Sequence, residues 1–317
     1  MTRAETRLSD ALVGWSPGLL GRRLLHPFDS IVVGNLDPSW RGVIRRLNRG
    51  LFLVTVQAED PSASSMATVA TLSRLGWILR VRPVVLAPIA ALQTGTAVLG
   101  AGSRLSGRDS VPAGWTDCAV DTSIAGIAAG SLDQEGATVI EGSPPTLVTP
   151  ADTGFPAAVR PAFDQLTSQA TVVLPSGEWT PAPSVTGLDC DVSDSRNWGD
   201  PAGPGAPCGD YWPIVHVPGD LRLRSGIGHG ILLVDGNLQI DGPFRFDGVV
   251  MTLGKLDADA SGGSIDVNGM IASAASGMAG HGLSGIRITY SKCMLFNSLQ
   301  TSGTLIPLRS RAWKQLF

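Results

Sequence analysis

The chain has 317 residues, a mass of 32.9 kDa and a formal net charge of −3, enough for one large domain or two ordinary ones with real cores. Apolar residues make up 43%, charged residues 16%, and there are 39 glycines and 22 prolines, a balance that argues against a helical bundle and for turn-rich β structure. Residues 1–80 hold ten arginines against six acids, but no basic patch is interleaved with aromatics, so the sequence does not read as a nucleic-acid surface.

Taken in chain order, residues 2–15 place Ala4, Leu8, Ala11, Leu12 and Trp15 on one helical face, and the pattern stops at Ser16-Pro17-Gly18. The start has no apolar core behind its arginine and does not read as a secretory signal. Runs over 30–34, 40–46, 51–59 and 67–82, with Asn48-Arg49-Gly50 as a turn, predict an antiparallel meander. Residues 1–82 therefore read as a module of one helix plus antiparallel strands. No run of about 20 apolar residues exists, so no membrane span is expected. Residues 83–130 carry short apolar runs cut by glycines. Residues 131–213 break that texture with Pro144-Pro145, a helix over 156–169 and a Pro/Gly/Asp-rich loop, and read as an insertion. Regular β texture returns over 214–290. Residues 291–317 predict a helix and a short aromatic cap.

Three octets align within 214–290: HVPGDLRL (216–223), LVDGNLQI (233–240) and MTLGKLDA (251–258). Leu221, Leu238 and Leu256 are spaced by 17 and 18 residues, as are Leu223, Ile240 and Ala258, and each period holds three short runs. The pairs His229-Gly230, Asp247-Gly248 and Asn268-Gly269 recur 18 and then 21 residues apart. Three short strands per period, with glycines allowing positive φ at the corners, predict a right-handed β-solenoid of about 18 residues per rung. Its core would stack Leu221, Leu238, Leu256, Leu223 and Ile240. The competing reading makes each Asp-Gly a two-residue hairpin turn in an antiparallel meander.

The stretch from Tyr211 to Ser273, with GIGHGILLVDGNLQIDGPFRFDG at its centre, resembles the solenoid region of bacterial type IV pilus assembly proteins of the PilX type. It resembles bactofilin-like, polymer-forming repeats more loosely. The resemblance implies a non-enzymatic structural or adhesive role in an envelope appendage, with other envelope or pilus proteins, or further copies of the chain, as partners. A cytoplasmic bactofilin-like scaffold is the alternative, and a polysaccharide-active β-helix enzyme a third.

Paired carboxylates cleave glycans, which makes the aspartates the first candidates for chemistry. Asp241 and Asp259, 18 apart, are expected on adjacent rungs as weak calcium candidates, although Ca²⁺ wants six to eight oxygens. Asp235, Asp247, Asp257 and Asp266 read as corner residues. His26, His216, His229 and His281 lack zinc spacings, and Cys118, Cys190, Cys208 and Cys293 form no C-x-x-C. Gly226–Gly230 imitates part of a dinucleotide loop but precedes a strand, so no cofactor and no catalytic residue is assigned. Trp198, Tyr211 and Trp212 read as packing anchors of the loop, with sugar stacking the less favoured role. Cys190 and Cys208 bracket an apolar-poor loop and are expected to pair. Such a bond requires an oxidising compartment, in line with the periplasm or cell surface that the pilus resemblance implies. Cys118 and Cys293 are expected as buried thiols.

Overall fold

The computed structural model describes residues 6–7, 10–34, 40–60, 71–115, 118, 120, 123–149, 155–276, 282–308 and 313–315. The chain forms two units: unit 1 is Met1–Pro83 with Gln300–Phe317, and unit 2 is Val84–Leu299.

In unit 1, much of the helix expected over 2–15 lies outside the described residues, though residues 6, 7 and 10 are helical. The Ser16-Pro17 stop also starts a second helix, α1 (Pro17–Arg23), because Pro17 occupies its first turn and the Ser16 side chain accepts from the Leu19 N–H. Strands β1 (Ser30–Val33), β2 (Trp40–Asn48), β3 (Leu51–Asp60) and β4 (Thr71–Arg82) pair antiparallel in chain order. Alternate residues Phe52, Val54 and Val56 of β3 bury one face beside Ile44, Leu79, Leu20 and Leu24. The buried Arg46 guanidinium takes the free carbonyls of Leu24 and Leu25 at the end of α1, groups that a helix terminus leaves without partners.

The C-terminal cap expected over 291–317 divides between the units. Helix α3 (Lys292–Leu299) belongs to unit 2, whereas β22 (Thr304–Pro307) and β23 (Trp313–Gln315) pair antiparallel with β4. All of unit 2 is thus inserted in the chain between β4 and β22, two neighbouring strands of one sheet.

Unit 2 is a large parallel sheet in three columns. The first runs β10 (Val172–Val173), β14 (Ile214–Val217), the second half of β16 (Gly226–Val234), the middle of β18 (Phe244–Asp259) and of β19 (Ile265–Ser276), then β5 (Ala90–Leu99), β7 (Ala125–Gln134) and β9 (Thr146–Val148). The second runs β11 (Gly177–Trp179), β15 (Leu221–Leu223), β17 (Leu238–Ile240), the end of β18, and β20 (Leu283–Ser284), which meets the end of β5. The third takes the first halves of β16, β18 and β19, then β21 (Ile286–Tyr290), β6 (Arg104–Ser106) and β8 (Val139–Glu141). The segments 231–234 and 249–252 pair in parallel, which disposes of the hairpin reading.

The stacking order is not the chain order. The chain enters at β5, in the middle of the stack, and advances through β7 to β9 at one end. Helix α2 (Phe155–Thr167) then intervenes, its Val159, Phe163 and Leu166 buried in the core, and the chain resumes at β10 at the opposite end. From there it winds back through β14, β16 and β18 to β19, which pairs with β5. The region 131–213 is accordingly more than an insertion, since its segment 139–179 supplies β8, β9, β10 and β11 to the stack. The loop that follows carries the small hairpin of β12 (Val185–Thr186) and β13 (Asp189–Cys190). Carbonyls of Pro181, Trp198 and Pro213 accept the Ile227, His229 and Ile231 N–H groups, closing an edge of β16 that would otherwise be open to pairing.

Glycine serves this stack in two ways. Gly230, Gly248 and Gly269 face one another in register at φ +112, +147 and +145, and a Cβ on Gly248 would overlap the Gly230 carbonyl. Gly236 and Gly254, which the octets suggest as positive-φ corners, do not take positive φ. They are required because a side chain there would strike the preceding layer.

Candidate functional site

The second column presents an outward row of polar side chains. In register, Leu221, Leu238 and Leu256 face inward and are buried, and so are Leu223, Ile240 and Ala258. Strand alternation sends the residue between each pair outward. The outer row is therefore Glu178, Arg222, Gln239 and Asp257, each opposite the next. Beside it runs a ladder: Asp220 accepts from the Asn237 backbone N–H at 2.7 Å, and the Asn237 side chain accepts from the Lys255 N–H at 2.9 Å. The polar residues after the first two octet glycines, Asp220 and Asn237, thus each tie their layer to the next.

These residues, with Ser176, line a groove of about 650 Å³. Arg222 is bonded to Asp241, which also accepts from Gln239 at 2.9 Å, and Arg224 binds Glu178 at 2.8 Å. The shielded Oδ1 of Asp257 has no hydrogen-bond partner among the described residues. No motif in the sequence marks this row. Its signal was the residue between two octet apolar positions, visible once alternation is applied to so short a run.

Asp241 and Asp259 do not form the calcium pair considered from their spacing. Asp241 is taken up by Arg222 and Gln239, whereas Asp259 accepts from the Ser261 N–H at 2.9 Å and caps the 3-10 turn Ala260–Gly262. Among the described residues, no three His, Cys, Asp or Glu side chains are grouped to hold a metal ion.

Asp247, read as a corner residue, is instead fully buried in β18 between His229 and Asn268 of the neighbouring layers. It accepts from Asn268 at 2.8 Å and pairs with Arg245 at 3.0 Å. Burial disfavours its charge more than these partners favour it, so its carboxyl titrates above the usual carboxylate range. Trp212 stacks on His229 at 4.1 Å and meets Trp115 edge-on at 5.2 Å. Trp198, Tyr211 and Trp212 are buried, so they anchor the loop and are not available to a sugar.

Cys190 and Cys208 are bonded, with Cα atoms 4.9 Å apart, across the loop that follows β13. Cys118 and Cys293, expected as thiols, are bonded too, with Cα atoms 5.6 Å apart. That bond joins the segment after β6 to helix α3 after β21, the two neighbours at the place where stacking order departs from chain order. Its partners lie 175 residues apart in the chain, so no local pattern marks the pairing. Two disulfides are a chemistry of oxidising compartments. No helix among the described residues is long and apolar enough to cross a membrane.

A scan against protein-family models and searches of curated proteins and of solved structures return no match for this chain.

Proposed function

We propose that the chain is a non-enzymatic structural or adhesive component of a bacterial envelope appendage, of the type IV pilus-associated, minor-pilin-like kind. In this reading unit 2 is a right-handed β-solenoid of about 18 residues per turn. Parallel strands joined through intervening chain almost always wind right-handed, and the 17-to-18 spacing of paired leucines fits one turn per period. The observation that carries the proposal is the insertion: a helix-plus-antiparallel-sheet unit receives, between β4 and β22, a repeat-built unit fastened by two disulfides. A helix followed by an antiparallel meander suits a pilin-like module, and the disulfides suit the periplasm or cell surface. The non-enzymatic reading is supported by the ion pairs at the groove, where Glu178 and Asp241 are each held by an arginine and Asp220 is engaged by Asn237.

The test is fractionation of the native host expressing a tagged chain, with mass spectrometry of non-reduced peptides. Recovery with sheared surface appendages or the periplasm, with both disulfides formed, is expected. Cytoplasmic recovery with free thiols would overturn the proposal in favour of the bactofilin-like scaffold.

A further inference from the structure

We infer that the groove over the second column is a binding site for a neutral, polyhydroxylated chain, that is, a glycan lying along the stack. The inference rests on the adhesive reading and gives it a ligand class.

The first argument is the spacing. Glu178, Arg222, Gln239 and Asp257 are held opposite one another in successive parallel layers, so they form a straight row with a polar group about every 4.8 Å. An extended ligand along that row meets donors and acceptors in turn. A peptide could not add itself as a further strand over this face, because the strands beneath already pair layer to layer. Recognition falls to side chains alone.

The second argument is charge. Glu178, Asp220 and Asp257 face Arg222 and Lys255 in the groove, and Arg224 and Asp241 neutralise Glu178 and Arg222 from its margin. Charges so mixed and paired produce no strong field of one sign, which is what a polyanion such as nucleic acid requires. The third is the lining. Leu221 is its one large apolar residue and is itself buried, so the groove presents no apolar side chain on which a lipid or an aromatic small molecule could rest. What remains is a surface offering donors from Lys255, Gln239 and Arg222 and acceptors from Asp220 and Asp257, which hydroxyl groups satisfy in both directions.

The experiment is affinity electrophoresis of the purified full-length chain through gels containing dextran, xylan or galactomannan as neutral probes, and alginate or polygalacturonate as anionic ones. Retardation by at least one neutral glycan is expected, insensitive to added salt. Both Gln239→Ala and Lys255→Ala, whose side chains point outward, should weaken it at least about tenfold while thermal unfolding stays unchanged. No retardation by any neutral glycan, retardation equal in wild type and both variants, or binding confined to the polyanions and abolished by salt would each overturn the inference. Any of these outcomes with the chain still fractionating with surface appendages would remove the groove's role and leave the proposed function standing.

Discussion

The two units solve the same problem, burying apolar strands, by opposite routes. In unit 1 each strand pairs antiparallel with its chain neighbour, so contacts between β1 and β4 are local and a turn such as Asn48–Gly50 sets the register. In unit 2 the octet strands pair residues about a period apart, pairs such as β5–β7 and β11–β15 join residues two or more periods apart, and at the β19–β5 junction the partners lie nearly the whole unit apart. Local pairing tolerates independent variation at each strand. Layered pairing requires the same residue class at the same place in successive layers, because each layer is the floor of the next. The difference is sharpest for glycine. Gly248 sits at positive φ against the Gly230 carbonyl, whereas a Cβ on Gly76 of β4 would find ordinary contacts of 3.6 Å or more.

The largest expected effect is at the one junction the chain does not connect directly. Replacing both Cys118 and Cys293 with serine opens a closed loop of 175 residues, worth about 5 kcal/mol in the chain-entropy model, against about 3 kcal/mol for Cys190 with Cys208. Urea unfolding monitored on unit 2 would measure both. A smaller loss at the 118–293 pair than at the 190–208 pair would break the picture of a stapled junction. Next, Gly248→Ala should cost on the order of 4 kcal/mol, combining backbone strain with overpacking. Gly76→Ala should be neutral or stabilising by up to about 1 kcal/mol. Equal effects would erase the contrast between the units. Leu238→Ala should then cost about 2–5 kcal/mol, while its outward neighbour Gln239→Ala should change stability by less than about 0.5 kcal/mol. Thermal melts of the two variants decide this.

The smallest effect is pH-dependent. Burial holds Asp247 above its ordinary pKa, and a carboxyl raised in the folded state contributes stability that is complete below its unfolded value of about 3.9 and is lost as pH rises through the folded value. The stability of the wild type relative to Asp247→Asn should therefore decline as pH is raised from about 3 towards neutrality. A relative stability that rises over that range would refute the assignment. Unit 1 buries Arg46 instead, whose charge does not change there, so variants of unit 1 supply the control.

The sequence by itself determined what depends on neighbours in the chain or on a regular period. Apolar alternation and turn residues specified the meander over β1–β4, and helical spacing located α2. The 17-to-18 period told which residues share a column, because identical layer lengths bring Leu221, Leu238 and Leu256 to one line. Only the tertiary structure decided that β5 follows β19, that Cys118 meets Cys293, that 304–307 returns to β4, and that Asp247 lies inside while Asp257 borders a groove. The physical reason is the same in each case. A period fixes relations within one continuous winding, but the order in which separate windings stack is set by which free edge fits which. A side chain's exposure likewise depends on what the neighbouring layers and loops place over it.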